Sequence, residues 1–123
     1  FEYKNFNTMF AILSALNFSA ISRLKLTWKA LPSKYLEIFV KLNDLCCVEK
    51  HYIPYKKYLE SQTPPIVPYL GVFLRDLTFI EVGNPSYLDD EKRMINYDKF
   101  RMLAAVLEDL RKYQQIRYDF VPL

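Results

Sequence analysis

PPIVPYLGVFLRDLTFIEVGN, Pro64 to Asn84, reads as a proline-locked entry followed by one helix of about four turns. Pro64, Pro65 and Pro68 fix φ and remove backbone donors, so the chain arrives extended and the helix begins at or just after Pro68. Leu70, Phe73, Leu74, Leu77 and Ile80 follow at steps of three, one, three and three, an apolar stripe at helical period that is expected to pack. Arg75, Thr78, Phe79 and Val82 occupy the opposite side, where a helix lying on a core shows only Lys, Glu and Gln; a mixed apolar and polar face points to a partner. Gly83 is expected to take a left-handed C-terminal position, and Asn96 starts a second helix, so the two read as a helical hairpin.

Working outward, 123 residues with 51% apolar and 25% charged side chains suit one globular domain. Two Gly against seven Pro, with long stretches free of both, indicate helices broken by proline rather than sheets, and the fold class is all-α. The ten Tyr and nine Phe suit contact surfaces, because a tyrosine ring packs while its tip hydrogen-bonds. A net charge of +3, with both signs interspersed, gives no indication of nucleic-acid binding. No run approaches the ~18 apolar residues needed to span a bilayer and no charged-then-apolar leader opens the chain, so direct membrane insertion is not expected. Adjacent cysteines seldom form a disulfide, and Cys46 and Cys47 are read as a reduced, intracellular pair. The chain opens on Phe1 rather than Met and is read as a piece of something longer.

Along the chain, Asn5 or Asn7 caps a first helix to about Leu16 whose Met9, Phe10, Ile12, Leu13 and Leu16 leave it apolar nearly all round and deeply packed. Such a helix needs neighbours, so the isolated chain is expected to self-associate or to be poorly stable. Ser19 caps a second helix through Ile21, Leu24, Trp28 and Leu31 to Pro32. Ser33 caps a third carrying Leu36, Phe39, Leu42 and Leu45, with Glu37 and Lys41 paired on its wet side. After a loop with His51, Pro54 opens a short helix. Pro85 to Arg93 reads as loop. From Asn96, Phe100, Leu103, Leu107 and Leu110 mark the last helix, to about Gln115, with Glu108 paired to Lys112, and Ile116 to Leu123 is an extended tail.

Covalent chemistry finds no support. One histidine cannot build a structural zinc site with two adjacent cysteines, and no Ser lies in a His and carboxylate constellation. No Gly-rich loop holds phosphate, and Asp89-Asp90 and Glu108-Asp109 read as solvated charge. No cofactor or metal is implied.

Three blocks carry a resemblance: NFNTMFAILSALNFSAISRLKLTWKALP at residues 5–32, PPIVPYLGVFLRDLTFIEVGNP at 64–85 and INYDKFRM at 95–102. In order and spacing they resemble the catalytic domain of Ras-family guanine-nucleotide exchange factors, the RasGEF domain, and correspond to its C-terminal half. The resemblance implies a partial multi-helical domain: bowl helices over 1–63, a projecting antiparallel hairpin over 64–115 and the tail over 116–123. It implies a Ras-like small GTPase as partner, of the Ras or Rap class, whose nucleotide release is promoted without any bond being made or broken. A cytoplasmic setting follows, with membrane recruitment by parts of the parent protein outside this chain.

Carried over by position, the family's contacts to switch 2 of the GTPase fall on Phe10, Asn17, Tyr55 and Tyr69. Those of the hairpin, facing switch 1 and the phosphate and metal region, fall on Arg75, Thr78, Phe79, Glu81 and Val82. Lys99 and Arg101 read as solvated surface. Many Ras-directed members carry Glu-Glu-Gly-Asn where this chain has Glu81-Val82-Gly83-Asn84, which leaves steric blocking to do more than charge. Two alternatives keep the same helices: a module that binds a GTPase without expelling nucleotide, and a helical scaffold unrelated to GTPases.

Overall fold

The computed structural model describes residues 2–120. Among them there are helices and two isolated bridges but no strand: α1 (Phe6–Asn17), α2 (Ser19–Ser22), α3 (Lys25–Ala30), α4 (Ser33–Leu45), α5 (Ile53–Glu60), α6 (Leu70–Gly83) and α7 (Tyr97–Gln114). They form two compact units, divided between Pro68 and Tyr69.

The first unit is built on one side of α1. Asn5 caps the helix by accepting from the Thr8 N–H at 3.0 Å, and Phe6, Met9, Phe10 and Leu13 then fall on one stripe and are buried. Ile12 stays 57% exposed, so α1 is amphipathic rather than packed on all sides. Across from it, Tyr55 of α5 is fully buried, its ring edge-on to Phe6 at 5.7 Å and to Phe10 at 5.0 Å. Complete burial of side chains this size stabilises by roughly 2–3 kcal/mol each, and edge-to-face rings add to that. The proline segment belongs to this unit: the Phe6 N–H donates to the Val67 carbonyl at 2.9 Å, the Val67 N–H to the Lys4 carbonyl at 3.1 Å, and Ile66 is buried.

The helix expected from Ser19 to Leu31 is broken into α2 and α3. The cause is Trp28, whose indole N–H donates to the Ile21 carbonyl at 2.9 Å, the oxygen that the Lys25 N–H takes in a continuous helix. Lys25 turns to the Arg23 carbonyl instead, and the Trp28 ring rests on Phe39 of α4 with centroids 4.8 Å apart. Along α4, Leu36, Phe39, Leu42 and Leu45 are half-buried as the spacing predicts. The residue that flanks its start is Pro32 rather than Ser33. Cys46 and Cys47 are free thiols, Cys46 buried. His51 and Tyr52 then both adopt left-handed backbone, φ 52° and 57°, uncommon for residues with a Cβ, to turn the chain into α5.

In the second unit α6 and α7 run antiparallel. Phe73 near the start of α6 meets Tyr113 near the end of α7 at 6.3 Å, and Glu81 near the end of α6 meets Lys99 in the first turn of α7. Asn96 caps α7 as expected, accepting from the Lys99 N–H at 3.2 Å. Gly83, however, is not left-handed: no glycine has positive φ, and α6 is closed by Asn84, whose side-chain amide donates to the Ile80 carbonyl at 3.0 Å. The packed side also differs from the predicted stripe. Phe73, Leu77 and Ile80 are half-buried and Val72 is buried, while Leu70 and Leu74 are 48% and 62% exposed. On α7 the inward positions are Lys99, Leu103, Val106, Leu110 and Tyr113, with Phe100 and Leu107 turned out. Lys112 pairs with Asp109 at 2.6 Å rather than with Glu108. Between the helices, Tyr87 bridges Ile95, and the Asp89 carboxylate accepts from the Arg93 and Met94 N–H groups, both at 2.9 Å. The tail is irregular through Phe120; residues 121–123 lie outside the described residues.

Lys99, expected in solvent, is 2% exposed. A buried ammonium must be saturated, and its three donors reach Glu81 Oε1 at 2.8 Å, Ser86 Oγ at 2.9 Å and the Glu81 carbonyl at 3.2 Å. It thereby places a positive charge at the C-terminus of α6, where the helix dipole favours one.

Two measurements on the full-length protein follow. Lys99→Met is expected to speed amide hydrogen exchange across residues 81–86 by ~10-fold or more, with the first turns of α6 unaffected, whereas protection unchanged across 81–86 contradicts the clamp. Burial pushes the Cys46 thiol from 9.0 up to about 12, so it keeps its proton at pH 8 and iodoacetamide is expected to label Cys47 first; equal rates contradict this. Because the folded-state value is the raised one, the associated stability is complete below pH 9.0 and is lost as pH climbs toward about 12.

Candidate functional site

The residues singled out from sequence divide into buried supports and exposed faces. In the first unit, Tyr55 is fully buried and Phe10 is 6% exposed. Phe10 packs at 6.0 Å from half-buried Tyr52, and Phe10 and Tyr55 themselves lie within the core. Asn17, the last residue of α1, is exposed. Its side-chain amide donates to the Leu13 carbonyl at 3.0 Å and to Asn43 Oδ1 at 2.6 Å. Asn43 in turn donates to the Phe39 carbonyl at 2.9 Å. Both donors of Asn17 are thus spent on fixing its orientation, which leaves Oδ1 as an aimed acceptor at the surface. Asn43 was not singled out from sequence, where a polar residue in α4 reads as solvated helix; nothing in a single sequence pairs it with Asn17.

In the second unit, half-buried Tyr69 immediately precedes α6 with extended backbone. Its ring lies over Gly71 so closely that a Cβ there would stand 2.5 to 2.8 Å from the ring's Cζ, Oη and Cε1. Gly71 is therefore what allows Tyr69 its position, a second contributor that sequence reasoning passed over. The only available signal was a glycine inside a helical pattern, which calls for a packing reason.

The exposed flank of α6 matches the mixed face read from the sequence. Phe79 is 62% and Val82 81% exposed, and the Arg75 guanidinium lies over the Phe79 ring at 5.3 Å from its centroid. Thr78 is exposed, and its hydroxyl donates back to the Leu74 carbonyl at 2.8 Å, so it is occupied within its own helix. Leu74, expected to pack, adds to this exposed apolar surface. Large apolar side chains grouped on a stiff helix are the pattern of a contact site. Glu81 departs from the rest. Its side chain is 61% exposed, but Oε1 is held by Lys99, so the charge of the one carboxylate on this turn is paired across the hairpin. No group of three His, Cys, Asp or Glu among the described residues is arranged to hold a metal ion, and no described helix is long and apolar enough to cross a membrane.

Comparison with known proteins gives this geometry its context. The family model described as the RasGEF domain matches residues 1–101. The chain is 40% identical over 119 residues to Ras guanine nucleotide exchange factor Y of Dictyostelium discoideum, covering 97% of this chain and 8% of that protein. It is 38% identical over 129 residues to guanine nucleotide exchange factor SDC25 of Saccharomyces cerevisiae, covering 97% and 10%. It is 36% identical over 118 residues to Ras-specific guanine nucleotide-releasing factor 1 of Rattus norvegicus, covering 96% and 9%. The chain thus spans only about a tenth of the length of these relatives. With a family match over most of its length and an all-helical fold to accompany it, the chain belongs to the RasGEF domain family.

Proposed function

We propose that this chain is part of a guanine-nucleotide exchange factor that speeds GDP release from a Ras-like small GTPase of the Ras or Rap class. The observation that carries the reading is the solvent-exposed flank of α6, Phe79 at 62% and Val82 at 81%, in a chain of this family. Such a GTPase holds its nucleotide through phosphate and Mg²⁺ contacts that also order its switch segments. In the proposed mechanism the α6 flank displaces switch 1, while Asn17 Oδ1 and Tyr69 contact switch 2. Phe10 and Tyr55 act beneath the surface, holding the end of α1 in place. Val82 stands where many relatives of the Ras-directed type carry a second carboxylate, and Glu81 is tied to Lys99, so the displacement is one of shape rather than of competing charge. The proposed setting is the cytoplasm, with membrane recruitment by other parts of the longer protein.

The same lack of a free carboxylate favours one other reading, a module that binds the GTPase without expelling nucleotide. Nucleotide-sensitive binding with no acceleration of release selects that reading.

The test is release of fluorescent GDP from a panel of Ras and Rap GTPases by the full-length protein. Asn17→Ala is expected to slow release by ~10-fold, the loss of one directed hydrogen bond, and Phe79→Ala by ~30-fold or more, as for an aromatic at the centre of a contact. Because Phe79 is exposed, its variant should melt within a few degrees of the unaltered protein, by the usual small effect of surface substitutions, about 0.5 kcal/mol or less. Release equally fast with all three proteins, or with none across the panel, contradicts the proposal.

A further inference from the structure

The amide at the end of α1 is tied to α4 by a chain of hydrogen bonds that can run in only one direction. Asn17 Nδ2 donates to the Leu13 carbonyl at 3.0 Å and to Asn43 Oδ1 at 2.6 Å, and Asn43 Nδ2 donates to the Phe39 carbonyl at 2.9 Å. Backbone carbonyls only accept, so each end of the chain requires a donor. Turning the Asn43 amide over would set its oxygen against the Phe39 carbonyl and its N–H groups against those of Asn17. Turning Asn17 over would set its oxygen against the Leu13 carbonyl and Asn43 Oδ1 together. Either change brings like groups face to face where a bond had been.

The two asparagines differ in what they present outward. Asn43 is half-buried on α4, whereas Asn17 is exposed as the last residue of α1. Phe18, at φ −59° and ψ 138°, has already left the helix, so no further turn of α1 supports the Asn17 side chain. The Leu13 carbonyl is also the oxygen that an α-helix offers to the backbone N–H of residue 17. The bond to Asn43 is therefore the one anchor that lies outside α1. An exposed asparagine without such an anchor exchanges rotamers and offers either end of its amide.

We infer that Asn43 is a positioning residue for exchange: it holds Asn17 Oδ1 outward before the GTPase arrives, so that the GTPase meets a preset acceptor and brings an N–H or O–H donor to it. The inference rests on the function proposed above, which gives Asn17 its contact, and adds the residue that aims it. Asn43 acts through Asn17 alone, by removing the ordering cost that binding would otherwise carry.

The experiment is a double-mutant cycle in the full-length protein, with kcat/KM for release of fluorescent GDP from a Ras-like GTPase as the readout. Asn43→Ala is expected to lower it by ~5-fold, but to change it by less than ~1.5-fold when Asn17→Ala is already present, because no amide is left to aim. Asn43→Asp keeps an acceptor oxygen for Asn17 Nδ2 and is expected to stay within ~2-fold of the unaltered protein. Alanine is a good helix former at a half-buried position, so Asn43→Ala should melt within a few degrees of the unaltered protein. Equal losses from Asn43→Ala in the two backgrounds assign Asn43 to the fold and overturn the inference. An unaltered rate with Asn43→Ala alone, or Asn43→Asp as slow as Asn43→Ala, also overturns it. If Asn17→Ala itself releases GDP at full rate while Phe79→Ala does not, the inference falls and the exchange reading stands. An unaltered protein that discharges no GTPase overturns both.

Discussion

One buried ammonium group sets the geometry on which the second unit depends. Lys99 gives all three of its donors to the end of α6 and the loop beyond, two to Glu81 and one to Ser86. A charge this deeply desolvated is tolerable only when fully paired, so any loosening of the last turn of α6 exposes the group to an unsatisfied state. The turn carrying Val82 and Gly83 is thereby held against the start of α7. Phe79 and Val82 then project from a stiff support, which is what a displacing element requires, since a flexible one would yield to the loop it pushes. The same contact pairs one oxygen of the Glu81 carboxylate, whose side chain stays 61% exposed, with the buried ammonium.

The first unit meets a comparable requirement with aromatic packing. Phe6, Phe10 and Tyr55 interlock edge to face beneath α1, and the helix they support ends in Asn17. Asn43, reaching over from α4, fixes the Asn17 amide. Phe10 and Tyr55 were placed among the GTPase contacts by resemblance; in this structure both are buried, Phe10 at 6% exposure and Tyr55 fully.

Much of this was legible in the residues themselves. Helical period and proline placement located every helix except the division of α2 from α3, and Asn96 announced the start of α7 by its chemistry. The exposed face of α6 was readable because Phe79 and Val82 sit where a solvated helix would carry charge. What escaped were features set by partners distant in the chain. The Trp28 indole takes a backbone oxygen seven residues away and splits a helix that its own spacing supports. Lys99 reads as a surface residue until the end of α6 is brought to it. Gly83 has the composition of a left-handed cap, but Asn84 closes the helix first. Leu70 and Leu74 continue the apolar period beyond the arc that α7 covers, so periodicity alone placed them inward.

The claim at the centre is that binding of this protein and retention of nucleotide by the GTPase are mutually exclusive. Linkage then demands that whatever factor the exchange factor removes from nucleotide affinity, nucleotide removes from affinity for the exchange factor. The most direct measurement is the dissociation constant of the full-length protein for one Ras-like GTPase prepared nucleotide-free and again saturated with GDP and Mg²⁺. The nucleotide-free form should bind at least ~100-fold more tightly, a coupling of about 3 kcal/mol. Equal affinity for the two forms would contradict the displacement mechanism outright.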